Sequence, residues 1–272
     1  MKIGGKLFDT AHRTYVMGIL NVTPDSFSDG GKWRGMDAAL RHAQDMIDAG
    51  ADLLDIGGES TRPGYTLLPD AEEIDRVAPV IEAVKREFDI PVSVDTYKSA
   101  VARAALAAGA DLVNDIWGLQ YDPDMAQVVA QAGVPCCLMH NRQQPVYRDF
   151  LRDVQDDLRA CVRRAKEAGI ADDAILLDPG IGFGKTLEHN LLLMNHLELL
   201  HELGYPLLLG TSRKSMIGNT LHLPVDQREE GTLATTVIGM MKGCAFVRVH
   251  DVQANRRAVD MTAAILRAGE EA

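Results

Sequence analysis

Short apolar runs recur along the chain, and nearly every run leads into a polar residue that is capable of chemistry. The last run, Cys244–Val249, carries Arg248 and leads into His250. Side chains alternate across a strand, so these two polar residues would share one face, while Val247 and Val249 would share the other. The polar residues that close the runs are Asn21, Asp55, Asp95, Asn114, His140, Asp178, Ser212 and Arg248. The pattern predicts strands that deliver polar groups at their C-terminal ends.

Between these runs, the spacing of apolar residues changes from a period of two to about 3.6, which is typical of helices. Two helical stripes stand out: Ile74, Val77, Ile81, Val84 and Phe88 form one, and Phe150, Val154, Leu158, Cys161 and Ala165 form the other. Most helical segments end at a glycine, which adopts the left-handed conformation without steric cost. These glycines are Gly50, Gly109, Gly133, Gly169, Gly204 and Gly243, and the segment that ends near Phe88 is the exception.

The run-closing residues lie 19 to 40 residues apart. This spacing suits one helix per strand, and parallel strands require such crossovers. Eight strands with polar C-terminal ends predict an α/β fold, a single (β/α)8 TIM barrel over residues 1–272 with long loops after its first two strands. A doubly wound open sheet is the alternative, but it would concentrate function at one switch point.

Composition and charge narrow the class of protein. A hydrophobic content of 46% with 25% charged residues indicates a globular protein with a sizeable core. No apolar run approaches the roughly 18 residues that span a bilayer, and the first residues form no signal-peptide hydrophobic region. Cys136 and Cys137 are adjacent, so a strand would bury them as free thiols on opposite faces, which suits the cytoplasm. The net charge of −11 argues against nucleic acid or an anionic membrane as a partner.

A small anionic substrate remains compatible with this charge, because basic residues are concentrated after apolar runs. They are Arg62, Lys185, Arg213, Lys214, Arg248 and His250. Thr61 and Arg62 would bring hydroxyl and guanidinium donors to a phosphate, which arginine binds with two parallel hydrogen bonds. These residues predict a cationic pocket within an acidic protein.

Three loops at the predicted barrel mouth are unusual. Segments 21–31 and 57–64 exceed the usual 2–6 residues and mix Gly and Pro with hydroxyl and charged groups, so they are typical of lids, with surface insertions as the alternative. Segment 178–186 is rich in glycine, but a nucleotide phosphate loop would need glycine where Pro179 stands. We therefore predict a tight loop that presents Asp178 and Phe183 at the mouth.

A single polar residue at a strand end can be a helix cap or a turn former. Asp55, for example, could bind backbone beneath the site. Caps do not explain the basic residues or the glycines, so the set as a whole predicts an enzyme site.

These same residues resemble the dihydropteroate synthase family of the pterin-binding superfamily. The resemblance is carried by blocks that follow family order over almost the whole chain: Met17–Gly31, Asp55–Gly64, Ser93–Lys98, Asn114–Trp117, Met139–His140, Asp178–Thr186, Ser212–Ser215 and Val247–Asp251. It implies a transferase of folate biosynthesis (EC 2.5.1.15) that condenses 6-hydroxymethyl-7,8-dihydropterin diphosphate with p-aminobenzoate. The products would be 7,8-dihydropteroate and pyrophosphate. Mg²⁺ as cofactor, a homodimer and inhibition by sulfonamides, which mimic p-aminobenzoate, are implied as well.

The resemblance also implies roles for individual residues. The pterin would be held by Asp95, Asn114, Asp178, Lys214 and Arg248. The diphosphate would be held by Asn21, Thr61, Arg62, Arg248 and His250, with Mg²⁺ on Asn21. The p-aminobenzoate would lie near Thr61, Pro63, Phe183, Lys214 and Ser215. The catalytic residues would be Arg62, Lys214, Arg248 and His250.

Residue chemistry agrees with this assignment, because carboxylates and amides complement the 2-amino-pyrimidinone edge of a pterin. Two other functions remain open: a pterin-dependent methyltransferase, and a pterin-binding scaffold without turnover. The loop after Asn21, the segment Ser60–Pro63 and the pair Arg248 and His250 favour a diphosphate site over a methyltransferase. The segment Thr232–Met241 is apolar nearly all round, which predicts burial on more than one side and a homodimer.

Overall fold

The computed structural model describes residues 1–22, 31–59 and 67–268. A short antiparallel hairpin, β1 (Lys2–Ile3) and β2 (Lys6–Leu7), precedes an eight-stranded parallel sheet. The strands of that sheet are β3 (Tyr15–Asn21), β4 (Leu53–Gly57), β5 (Val92–Asp95), β6 (Leu112–Asp115), β7 (Cys136–Met139), β8 (Ile175–Asp178), β9 (Leu208–Leu209) and β10 (Phe246–Val249).

The parallel strands close into a barrel. Their hydrogen-bonded order is β8, β7, β6, β5, β4, β3, β10, β9. The ring is completed because Leu177 in β8 pairs in parallel with Leu207, and its N–H donates to the carbonyl of Pro206 at 3.0 Å. The predicted TIM barrel is confirmed, and the doubly wound open sheet is excluded because its two edges would stay unpaired.

Helices follow the strands in turn: α1 (Gly31–Asp48), α2 (Asp70–Glu87), α3 (Ser99–Ala107), α4 (Met125–Ala132), α5 (Phe150–Glu167), α6 (Leu187–Asn195), α7 (Ser215–Leu221), α8 (Glu229–Met241) and α9 (Val252–Arg267). The six glycines predicted to end helices all have positive φ, between 65° and 106°. At the predicted exception, Phe88 ends α2 with an extended backbone. Both predicted apolar stripes face the core. The residues of the α5 stripe are all buried. In the α2 stripe, Val77, Ile81 and Val84 are buried, and Ile74 and Phe88 pack against the core.

Two apolar cores lie on the two faces of the sheet. The larger one fills the space between strands and helices, and the smaller one fills the barrel with residues such as Met17, Leu112 and Phe246. Cys136 belongs to the outer core and Cys137 to the inner one, so the prediction of buried free thiols on opposite faces is confirmed.

The N-terminal hairpin closes one end of the barrel. Ile3 and Phe8 belong to the inner core, and the ring of Phe8 lies 4.8 Å from the ring of Tyr15 at the start of β3. This end is apolar and sealed, so the polar strand ends lie at the opposite, C-terminal mouth.

None of the helices in the described part of the chain combines the length and the apolar character that a membrane span requires.

Candidate active site at the C-terminal mouth of the barrel

Arg248 links three strands at the mouth of the barrel. Its Nε donates to Asp55 Oδ2 from β4, and its Nη2 donates to Asp95 Oδ2 from β5 at 2.6 Å. Asp55 is fully buried and Asp95 is 8% exposed, so both ion pairs are shielded from water. Charge-assisted hydrogen bonds of this kind are stronger than neutral ones and fix geometry. The last strand is thereby tied to the second and third strands of the barrel.

Asp55 organises the site, a role that the sequence reasoning missed. Its Oδ2 also accepts from Asn114 Nδ2 at 3.2 Å, so one carboxylate orients both an amide and a guanidinium. The suggestion that Asp55 binds backbone beneath the site is wrong, because within the described residues its Oδ2 accepts from these two side chains and its Oδ1 has no donor. Its place at a strand end, shared with Asp95 and Asn114, was the signal for a functional role.

Two buried carboxylate oxygens have no hydrogen-bond partner within the described part of the chain: Oδ1 of Asp55 and Oδ1 of Asp95. A buried acceptor without a donor costs roughly 1–3 kcal/mol. An oxygen of this kind at a strand end is therefore a candidate acceptor for a donor group on a ligand.

Asp178, Lys214 and Arg248 converge on Gly210, just after β9. A Cβ atom on Gly210 would lie 3.6 Å from Asp178 Oδ2, 3.8 Å from Lys214 Nζ and 4.0 Å from Arg248 Cβ. Asp178 is held in place because its Oδ1 accepts from the N–H of Gly180 at 2.7 Å. Residues from separate strands therefore surround one small space, which the absence of a side chain at Gly210 keeps open.

Asn21, at the end of β3, lies on the same rim. A Cβ atom on Gly57 would lie 3.8 Å from Asn21 Oδ1 and 3.4 Å from Asp95 Cβ. Arg248 binds the carboxylate of Asp95. The amide of Asn21 on the first barrel strand and the guanidinium of Arg248 on the last one therefore both lie near the Asp95 side chain. The first and last strands of the barrel therefore place side chains on the same rim.

Ser212 positions His250. The Ser212 hydroxyl lies 2.9 Å from His250 Nδ1 and also accepts from the backbone N–H of His250 at 3.1 Å. With Nδ1 occupied in this way, the orientation of the imidazole ring is set by a neighbouring strand end. Ser212 is a second positioning group that sequence reasoning noted only as a strand end.

The glycine-rich loop packs against Lys214. The Nζ of Lys214 donates to the carbonyl of Ile181 and lies 4.7 Å from the centre of the Phe183 ring. Ser215 begins α7 directly after Lys214 and is exposed. Phe183, Lys214 and Ser215 therefore form a partly apolar, partly polar wall next to the space at Gly210.

Burial shifts the pKa values of the charged groups in the site towards neutral pH. It raises the pKa of Asp95 to about 7, against the opposing effect of Arg248, and it raises the pKa of Asp178. It lowers the pKa of Lys214 to about 8, against the opposing effect of Asp178. Perturbed groups that converge in one cleft are typical of functional sites.

The basic residues predicted to gather here do so only in part. Lys214 and Arg248 meet at Gly210, whereas Arg213 is exposed and Lys185 binds His140 and loop carbonyls. Thr61, Arg62 and Pro63, and most of the two loops predicted as lids, lie outside the described residues.

Comparison with known proteins identifies the family. Residues 17–250 match the family described as pterin binding enzyme. The dihydropteroate synthase of Clostridium beijerinckii is 61% identical over 98% of this chain and 100% of its own length.

Solved structures of similar enzymes share the fold. A Clostridium difficile dihydropteroate synthase, crystallised in the presence of pteroic acid, has a TM-score of 0.93 at 50% identity and covers 96% of this chain and 100% of its own. The Yersinia pestis enzyme in a sulfonamide drug complex has a TM-score of 0.91 at 47% identity, with 98% and 99% covered. The chain belongs to the dihydropteroate synthase family, the pterin-binding transferases of EC 2.5.1.15 in folate biosynthesis.

Proposed function

We propose that the space at Gly210 binds the pterin ring of 6-hydroxymethyl-7,8-dihydropterin diphosphate, and that the barrel mouth above it joins this substrate to p-aminobenzoate. The observation that carries the proposal is the convergence of Asp178, Lys214 and Arg248 on that space, beside a buried Asp95 oxygen without a donor. The relative crystallised with pteroic acid supports it.

The pterin ring needs acceptors for its amino and ring N–H groups, and donors for its carbonyl and ring nitrogens. Asp95, Asn114 and Asp178 supply carboxylate and amide oxygens, and Lys214 supplies an ammonium donor. Arg248 borders this space with its Cβ atom, and its guanidinium, fixed by Asp55 and Asp95, packs against the ring. Each buried polar group thereby gains a partner, which offsets the cost of its desolvation.

The diphosphate binds at the rim, on Asn21, Thr61, Arg62, Arg248 and His250. The donor chemistry at Asn21 fits Mg²⁺, because this ion takes few protein ligands and keeps water and phosphate oxygens. Within the described residues, no group of three or more His, Cys, Asp or Glu is arranged to hold a metal. Asn21 would hold Mg²⁺ through its amide oxygen, and the charge of the bound metal would help to neutralise the departing pyrophosphate.

The p-aminobenzoate binds on the outer wall, near Thr61, Pro63, Phe183, Lys214 and Ser215. The Phe183 ring offers an apolar surface to the aryl group, and the exposed Ser215 hydroxyl donates to the carboxylate. Sulfonamides mimic p-aminobenzoate, so the sulfonamide complex of the Yersinia pestis relative supports an aryl amine site in this chain.

The chemistry is a dissociative substitution at the exocyclic methylene of the pterin. The carbon–oxygen bond breaks first, because the dihydropterin ring delocalises the resulting positive charge. Arg62, Arg248 and His250 stabilise the negative charge on pyrophosphate, and Lys214 orients the ring. The aryl amine is neutral at pH 7, so its lone pair forms the carbon–nitrogen bond and a proton is then released.

Pyrophosphate release tests this function. Purified protein with the pterin diphosphate and Mg²⁺ should release pyrophosphate only when p-aminobenzoate is added. Arg248→Ala should lower kcat/KM by at least the factor that corresponds to the roughly 1.5–3 kcal/mol of a charged hydrogen bond. Arg213→Ala, which changes an exposed arginine, serves as the control and should leave kcat/KM unchanged. Substrate binding without turnover would favour a scaffold, and methyl transfer to a corrinoid without pyrophosphate release would favour a methyltransferase.

The protein acts as a homodimer in the cytoplasm. Four buried free cysteines suit a reducing compartment. Adjacent helices α8 and α9 expose large apolar side chains, namely Ile238, Met241, Met261, Ile265 and Leu266. Such a surface is typical of a protein interface.

A further inference from the structure

Lys185, at the end of the glycine-rich loop, is fully used by protein acceptors. Its Nζ lies 2.8 Å from the carbonyl oxygen of Gly180, 3.0 Å from that of Phe183 and 2.7 Å from His140 Nδ1. In its ammonium form Nζ has three protons, and each of these acceptors takes one, although burial lowers the pKa of Lys185 to about 7. Lys185 is therefore built into the loop and does not serve as the anion ligand that the sequence suggested.

His140, which accepts from Lys185, is itself held by a second residue. His140 has no solvent exposure, and its Nε2 lies 3.0 Å from Asp157 Oδ2 on α5. To accept from Lys185, Nδ1 must be unprotonated, so the ring proton is on Nε2 and faces Asp157. Burial lowers the pKa of His140 to about 4, which agrees with a neutral ring.

The glycine-rich loop needs such anchors because its backbone is irregular. Gly180, Gly182 and Gly184 have φ values of 69°, 87° and 55°, so no helix or strand pattern satisfies the loop carbonyls. The N–H of Phe183 donates to the carbonyl of Gly180 at 3.1 Å, and side chains bind other loop carbonyls: Lys214 binds that of Ile181, and Tyr147 binds that of Gly184 at 2.7 Å. Lys185 binds two loop carbonyls at once, those of Gly180 and Phe183.

We infer that Lys185, oriented by His140 and Asp157, is a positioning residue that holds Phe183 against Lys214 and so shapes the p-aminobenzoate site. The inference rests on the proposed function of the barrel mouth. It assigns a role to the hydrogen-bonded set Asp157–His140–Lys185, which lies outside the proposed substrate contacts. Pterin binding should depend less on this set, because Asn114 is anchored by Asp55 and Asp178 lies on β8 itself, although Asp178 also accepts from the N–H of Gly180.

Steady-state kinetics of Lys185→Met test the inference. The KM for p-aminobenzoate should rise roughly tenfold, the expected effect of losing a charged hydrogen bond, while the affinity for the pterin diphosphate alone stays within about twofold. Lys185→Arg keeps the charge and the donors, so it should restore part of the loss. Lys166→Met, on the exposed side of α5, is the matched control. If Lys185→Met does not fold, His140→Phe removes one acceptor, keeps a ring and should show the same split.

Two measurements separate this inference from the proposed function. If the wild-type protein releases no pyrophosphate, the proposed function fails, but hydrogen exchange of loop amides 180–184 still tests the anchor. Faster exchange there in Lys185→Met, with unchanged exchange in the strands, supports it. Unchanged exchange in the loop, an unchanged KM for p-aminobenzoate, or equal losses for both substrates would overturn it.

Discussion

At the scale of single residues, the site is held together by ion pairs, and we propose that their members also bind the ligand. Arg248 is 18% exposed at its side chain and lies between two more deeply buried carboxylates, so its guanidinium is oriented before any substrate arrives. Preorganised charges of this kind need no rearrangement when charge develops on a leaving group. Asp55 therefore positions Arg248 for its proposed role at the diphosphate.

Asp55→Asn tests this dependence. The amide keeps the shape of the side chain but loses the negative charge that holds Arg248 and Asn114. We expect kcat/KM to fall by the equivalent of about 1.5–3 kcal/mol, with an unchanged circular dichroism spectrum. Wild-type kinetics in this variant would show that Arg248 is positioned by Asp95 alone.

The titrating groups of the site predict a bell-shaped dependence of kcat/KM on pH. Below its pKa of about 7, Asp95 gains a proton and loses an acceptor for the pterin, so activity should fall as the pH decreases. Above its pKa of about 8, Lys214 loses its ammonium charge, so activity should also fall as the pH increases. Asp95→Asn cannot titrate and should lose the acid limb. A flat wild-type profile over roughly pH 6 to 9 would contradict the assignment.

At the scale of elements, glycine serves two different purposes in this barrel. Gly133 ends α4 with a φ of 65° and has open space where a side chain would be. Gly184 has a φ of 55°, but a Cβ atom there would lie 2.4 Å from the carbonyl oxygen of Arg142. The helix-ending glycine only needs its conformation, whereas the loop glycine also needs the absence of a side chain.

This difference predicts unequal costs for alanine. Gly133→Ala should lower the free energy of unfolding by about 1–2 kcal/mol, the cost of a left-handed alanine. Gly184→Ala should lower it further and should also raise the KM for p-aminobenzoate, because the loop must move away from Arg142. Urea denaturation of both variants gives the comparison. Equal losses of stability would mean that the loop yields without strain.

The elements themselves were largely predictable from sequence. Strand ends such as Asn21 and Asp178 were located by alternation, and helix ends such as Gly50 by their glycines. The direction of Lys185 was not predictable, because its acceptors His140 and Gly180 come from another strand end and from the loop backbone. Local periodicity says which face a residue takes, but it does not say which atoms will be there.

At the scale of the whole molecule, the apolar face of α8 and α9 predicts self-association. Met241 is 65% exposed and Ile265 is 62% exposed, although both are large and apolar. We expect a dimer by light scattering at micromolar concentration, and we expect Met241→Glu with Ile265→Glu to give a monomer. Leu7→Glu, which changes an exposed apolar side chain on the N-terminal hairpin, is the control. A monomeric wild-type protein would refute the homodimer.

Local sequence patterns specify which residues end the strands, where the helices stop and which residue types stand at the mouth. These properties follow from the periods of two and 3.6, which neighbouring residues set among themselves. Only the tertiary structure decided the partners of those residues. Arg248 and Asp55 are 193 positions apart, and their contact depends on the closure and register of a ring of eight strands. Asp55 therefore became a positioning residue, and Lys185 a support of the loop, only when the barrel closed.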